Sequence, residues 1–173
     1  MKRVSCRAII FEGDKVATMY RVRDKRKFYT FPGGEKENGE TYEQCVVREV
    51  MEELGIVVRP IKEVYVYETN GAEQHFFLCE WVSGTFGTGQ GEEYTQYICE
   101  ENYFEPRMVA LEKSKQLVLY PPEVRKQLHV DIEKNGRSIR DEVLFLKGKI
   151  VPPRIRKGKK QGTKLKSSNN KKK

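Results

Sequence analysis

The chain has 173 residues, 38% hydrophobic and 34% charged, with 33 Lys+Arg against 25 Asp+Glu for a formal net charge of +8. That length suits one domain burying roughly 70% of its unfolded surface without disulfides, and the longest apolar runs fall far short of the ~20 residues a membrane-spanning helix needs. The charge is polarised: residues 147–173 carry 12 basic and no acidic residue, which leaves 21 basic and 25 acidic in residues 1–146.

Residues 1–146 therefore read as one acidic domain and residues 147–173 as a basic tail, too poor in apolar groups to offset its ordering entropy. Arg7 and Glu12 interrupt any signal-peptide core near the N-terminus. Cys6, Cys45, Cys79 and Cys99 form no C-x-x-C pair, so the expectation is buried, reduced thiols in a cytoplasmic protein. His75 and His129 are single residues in apolar-rich segments and read as structural or exposed groups.

In chain order, Val4, Cys6, Ala8 and Ile10 alternate with Ser5, Arg7 and Ile9 as a period-two strand. Residues 16–22 complete a hairpin, and residues 28–31 form a short strand that stops at a Pro32-Gly33-Gly34 turn. The best-marked helix starts at Thr41, with Gln44 completing a capping box, and stops at Gly55. Residues 56–68 and 74–86 are β-rich around an Asn70-Gly71 hairpin turn, followed by a glycine-rich loop over 84–91. Residues 103–111 suggest another strand, Pro121-Pro122 open a helix running to about Asn135-Gly136, and residues 143–146 suit a last strand. Mixed strands and helices in one continuous pattern predict a single α/β domain.

On the 41–54 helix, Val47, Val50, Met51 and Leu54 form an apolar stripe, while Glu49, Glu52 and Glu53 point roughly the other way. Carboxylates at such spacings repel one another by about a few tenths of a kcal/mol per pair. A cation would relieve that repulsion. The Gly33-Gly34 turn can bring bare carbonyls near the helix start, and Arg48 is a neighbour for Glu49; carbonyl plus carboxylate oxygens suit a hard divalent ion such as Mg²⁺ or Mn²⁺.

Read from Gly34, five residues lead to Glu40 and seven more to Arg48-Glu49-Val50-Met51-Glu52-Glu53-Leu54-Gly55-Ile56. This segment resembles the Nudix box, G-x5-E-x7-R-E-U-x-E-E-x-G-U with U a bulky aliphatic, at every defined position. The resemblance spans about residues 3–135. It implies an α/β/α sandwich with a mixed sheet, and hydrolysis of a nucleoside diphosphate linked to another moiety with Mg²⁺, or Mn²⁺, as cofactor.

Carried residue by residue, the resemblance implies that Glu52 and Glu53 are metal ligands, Glu49 a ligand or the general base, and the Gly33 carbonyl a further metal contact. Glu40 is similar to a supporting acid and Arg48 to the residue that orients the carboxylates; Gly34 and Gly55 are the box glycines. Outside the box, Glu93, favoured over Glu92, is similar in position to a further metal-binding glutamate. Arg21 and Arg23 are similar to strand arginines that meet substrate phosphate.

Markers associated with ADP-ribose and with dinucleoside polyphosphates fall on Gly71, Ala72 and Glu73 and are absent, and the coenzyme A pattern is met only in part. By elimination the expected substrate is a small-molecule nucleotide, a nucleoside di- or triphosphate, with Phe28, Tyr29 or the aromatics near Tyr103-Phe104 available to stack on a base. The alternatives are an enzyme acting on RNA 5′ ends, or an RNA-associated binding protein on the same scaffold, with the tail as its nucleic-acid contact. No membrane partner is expected, and family resemblance leaves a homodimer open.

Overall fold

The computed structural model describes residues 2–91, 94, 102–134 and 154–156. Along β1 (Arg3–Glu12), Cys6, Ala8 and Ile10 turn to one face and Ile9 to the other, and all four are fully buried. Successive side chains of a strand point to opposite faces, so both faces of this strand are covered.

The remaining elements are β2 (Lys15–Arg23), β3 (Arg26–Thr30), β4 (Gly33–Glu35), α1 (Tyr42–Leu54), β5 (Ile56–Thr69), β6 (Ala72–Gly84), β7 (Asn102–Ala110), α2 (Leu111–Ser114), β8 (Leu119–Tyr120), α3 (Pro122–Lys134) and β9 (Arg154–Arg156). The strands run in the order β8-β3-β2-β1-β6-β5-β9, with β4 on β1 and β7 on β2. β1 joins the two halves of the sheet: Arg3 to Ile10 run parallel to β6, whereas Phe11 and Glu12 pair antiparallel with β2.

On one face α1 packs Val46, Val50 and Leu54 against Ile10, Ala17 and Phe77. On the other, Val124 and Leu128 of α3 pack against Ile9, Phe31 and Phe76. The architecture is the expected α/β/α sandwich around a mixed sheet.

Local signals in the sequence define α1 at both ends. The Thr41 hydroxyl accepts the Gln44 N–H at 3.2 Å, and the Gln44 side chain accepts the Thr41 N–H at 2.8 Å. Such an N-cap is typically worth ~1 kcal/mol. Gly55 closes the helix in the left-handed region at φ 74° and donates to the Met51 carbonyl. Asn70-Gly71 turns β5 into β6, with Gly71 at φ 90°.

Three sequence expectations are revised. Gly33–Glu35 do not merely turn: they form β4, with Gly33 opposite Arg7 and Gly34 opposite Cys6. A Cβ on Gly33 would lie 2.1 Å from the Cys6 carbonyl oxygen, so the missing side chain permits this backbone approach. The buried face of α1 is also shifted, to Cys45, Val46, Val50, Glu53 and Leu54, with Val47 half-buried and Met51 43% exposed. Burial of Glu53 is permitted because donors from two strands meet its carboxylate. Finally, Arg154–Arg156 of the basic segment pair parallel to β5, so that segment is not irregular throughout.

The helix end expected at Asn135-Gly136, the strand at 143–146 and the rest of the tail lie outside the described residues. Cys6, Cys45 and Cys79 are free and buried, and burial pushes the Cys79 thiol up to about 12. Among the described residues no helix is long and apolar enough to cross a membrane.

Candidate active site

Four residues in the second half of α1 carry the charge: Arg48, Glu49, Glu52 and Glu53. Arg48 holds the acids in place. Its Nε and Nη2 donate to the two oxygens of Glu40 at 3.1 and 2.8 Å, and its Nη1 donates to Glu49 at 2.9 Å and to Glu52 at 3.3 Å. The fork on Glu40 is the bidentate geometry that suits a guanidinium and a carboxylate. Hydrogen bonding to Arg48 holds the Glu40 carboxyl down to about 2, and the Glu37 N–H adds to this.

Glu49 stands in a different environment. Burial raises its pKa above the ordinary carboxylate value, with the like charge of Glu52 acting in the same sense and Arg48 opposing both. Its carboxylate lies directly over Gly34, where a Cβ would approach it to 2.4 Å.

Glu53 is 4% exposed and is held from two strands. The Gly33 N–H donates to one carboxylate oxygen at 2.7 Å, and Arg21 of β2 donates to the other at 2.9 Å. The Arg21 guanidinium also lies 5.8 Å from the Phe104 ring centroid, within reach of a cation–π contact.

The glycine-rich loop closes on the end of α1. The Gly87 and Gly91 N–H groups donate to the Leu54 and Glu52 carbonyls, each at 2.9 Å, and a Cβ on Gly89 would lie 2.4 Å from both the Glu52 and Glu53 carbonyl oxygens. The Tyr94 hydroxyl donates to the Glu53 carbonyl at 2.5 Å. The loop's glycines thus let one backbone satisfy another. Glu92 and Glu93 lie outside the described residues, while Gly91 and Tyr94 on either side of them line the cavity.

That cavity has a volume of about 670 Å³ and is lined in part by Gly34, Arg48, Glu49, Glu52, Glu53 and Tyr94. Among the sequence-predicted groups, Arg21 joins the site through Glu53, and Arg23 is exposed farther out on β2. Phe28 and Tyr29 diverge: Tyr29 packs with the α3-side core and its hydroxyl accepts from Arg107 at 3.3 Å, whereas Phe28 pairs across strands with Arg21.

Arg7 joins the site without any signal in the sequence. It donates to the Gly33 carbonyl, and to the Phe31 carbonyl at 3.3 Å. Its register opposite Gly33 is a long-range pairing, so no local spacing marks it.

Among the described residues no three Asp, Glu, His or Cys side chains form a ready-made metal cage. The donor set nonetheless fits a hard divalent ion. One cationic nitrogen, Arg48 Nη1, is within 2.9 Å of Glu49 and 3.3 Å of Glu52, so both carboxylates already converge on positive charge. An incomplete protein shell completed by water and substrate phosphate is the usual arrangement for Mg²⁺.

Acidic side chains are thus held on one helix over a mixed sheet, at the edge of an open cleft. A family model described as the NUDIX domain matches residues 1–124, and the chain belongs to that family. Nudix hydrolases act on nucleoside diphosphate derivatives and generally use divalent metal ions.

Solved structures agree on the fold. An ADP-ribose pyrophosphatase from Streptococcus suis is similar at 20% identity and TM-score 0.54, covering 90% of this chain and 99% of its own. A MutT of the pair from Aliivibrio salmonicida and Vibrio cholerae is similar at 23% identity and TM-score 0.59, covering 75% of this chain and 98% of its own. A Nudix hydrolase from Nitrosomonas europaea is similar at 21% identity and TM-score 0.58, covering 78% and 90%.

Proposed function

We propose that the protein hydrolyses the diphosphate bond of a nucleoside di- or triphosphate, or a related derivative, with Mg²⁺ as cofactor and Mn²⁺ able to replace it. The observation that carries this reading is the convergence of Glu49 and Glu52 on one Arg48 nitrogen beside the anchored Glu53.

Glu49, Glu52, Glu53 and the Gly33 carbonyl are the groups that would hold the ion, with Glu93 a further candidate. When bound, the ion neutralises charge on the diphosphate and acidifies water beside it. Glu49, placed beside Arg48 on the cavity wall, accepts the proton of the attacking water. Arg48 fixes the Glu49 and Glu52 rotamers and so keeps the base in reach. Arg21 of β2 orients Glu53, while Arg23 and Phe28 lie outside the cavity lining and would meet only a substrate that extends beyond it.

The test is a phosphate-release screen over nucleoside di- and triphosphates, ADP-ribose, dinucleoside polyphosphates and 5′-triphosphorylated RNA, with Mg²⁺ or Mn²⁺. Wild type should turn over at least one of these at about 10²-fold or more above Glu52→Gln and Glu53→Gln. Equal rates in wild type and both variants would refute the proposal.

A further inference from the structure

Residues 21–27 contain Arg21, Arg23, Lys25, Arg26 and Lys27 with Asp24 as their one acid, inside a body, residues 1–146, that has more acidic than basic residues. The register decides which way these groups face. Arg21 reaches Glu53 and lies by Phe104, so it points to the α1 side of the sheet. Side chains two apart on a strand share a face, which puts Arg23 there too. The antiparallel pairs Arg21↔Phe28 and Arg23↔Arg26 add Phe28 and Arg26 to the same face.

On the next strand outward, the Tyr120 ring meets the Phe28 ring edge-on, with centroids 5.9 Å apart, and Tyr120 is 50% exposed. A strand rises about 3.3 Å per residue, so Arg23 stands roughly 7 Å farther from Glu53 than Arg21 does. A line of cations therefore leads outward from the acidic cleft, with two rings alongside it.

A compact nucleotide does not require this line, because Arg23, Arg26 and Tyr120 do not line the cavity. Arg23 and Arg26 are also directly opposed like charges, a pairing that destabilises a hairpin and that an anion lying across both would relieve. Spaced guanidinium groups beside partly exposed aromatic rings are the combination that holds single-stranded nucleic acid, phosphates on the cations and bases on the rings.

We propose that this face of the β2–β3 hairpin, with Tyr120, binds the first nucleotides of a single-stranded oligonucleotide whose 5′-terminal diphosphate or triphosphate enters the acidic cleft. The inference rests on the hydrolase reading above and narrows its substrate to a nucleotide that is the end of a chain. Arg26 and Tyr120 are the residues that distinguish such a chain from a mononucleotide.

The experiment uses the full chain and an RNA decamer carrying a 5′-triphosphate and a 3′ fluorophore. Anisotropy without divalent ions reads binding, and phosphate release with Mg²⁺ reads kcat/KM against the matching nucleoside triphosphate. The basic tail is common to every protein compared, so differences isolate the hairpin. Wild type should bind the decamer at least tenfold more tightly than the nucleoside triphosphate does in competition. Arg26→Gln combined with Tyr120→Ala should weaken decamer binding fivefold or more and lower the decamer-to-mononucleotide kcat/KM ratio by a similar factor, and Arg26→Lys should restore part of the charge contribution.

Unchanged decamer binding in the double variant overturns the proposal, as does a heparin-derived oligosaccharide of matched charge competing as well as unlabelled decamer, since that would mark a generic polyanion surface. Decamer binding that responds to these variants without hydrolysis of either substrate supports the track and refutes the hydrolase reading instead. A thermal melt of the double variant within about 3 °C of wild type, too small a shift to leave the protein unfolded at the assay temperature, excludes unfolding as the cause.

Discussion

Arg21 on β2 holds one oxygen of Glu53 at 2.9 Å while the Gly33 N–H holds the other at 2.7 Å. A helix residue of the active site is thereby fixed from two separate strands. Arg21→Ala leaves a nearly buried carboxylate with one donor fewer, and should cost about 2 kcal/mol of stability, below the range for a fully buried pair because the arginine is partly exposed. It should lower kcat/KM at least tenfold. Arg21→Lys should retain more of both, read by urea denaturation and steady-state rates.

Gly34 is expected to be intolerant for a reason distinct from backbone strain. Its φ is not in the left-handed region, and the obstacle is the Glu49 carboxylate, 2.4 Å from where a Cβ would stand. Gly34→Ala should therefore reduce kcat by ~10-fold or more through a displaced Glu49 with a modest change in Tm. Gly55→Ala should do the reverse, because φ 74° and contact with Thr88 oppose any side chain there; a loss of at least about 1 kcal/mol is expected.

The local part of this design is legible in the sequence, and the long-range part is not. Thr41, Gln44 and Gly55 mark α1 by chemistry acting within one turn, and Asn70-Gly71 marks a hairpin in the same way. The Nudix box brings Arg48, Glu40 and the three helix glutamates into view, because they repeat at spacings along one segment. Arg7 opposite Gly33, and Arg21 under Glu53, depend on which strands become neighbours. No periodicity within a strand encodes that choice. The apolar stripe differs from the buried face for a related reason: Glu53 counts as polar in any helical wheel, yet donors from β2 and β4 allow it inside.

Acid should weaken the Glu40–Arg48 link in a defined window. The Glu40 carboxyl is held at about 2, against an ordinary value of 4.5, chiefly by its hydrogen bond to Arg48. Because the folded-state value is the lower one, the stabilisation is fully present above about pH 4.5 and disappears as pH falls through about 2. Glu40→Gln should therefore be less stable than wild type at pH 7 and nearly equal to it at about pH 2, measured by denaturant midpoints at the two pH values.

The loop over residues 84–91 should be tied to the helix end through Gly89. Gly89→Ala places a methyl 2.4 Å from the Glu52 and Glu53 carbonyl oxygens, so the loop must lift and the bonds from Gly87 and Gly91 to α1 must lengthen. Amide exchange at Gly87 and Gly91 should accelerate by an order of magnitude or more, with kcat falling alongside. Unchanged exchange at those amides would show that the loop is held by other contacts.

The last turn of α1 contains no basic residue. A helix C-terminus carries roughly half a negative charge from its aligned peptide dipoles, and cations are the residues normally favoured there. In this chain the same turn presents Glu52 and Glu53. Backbone and side chains therefore superpose fields of one sign at a single end of the helix, and α1 acts as an electrode whose negative pole opens onto the cleft.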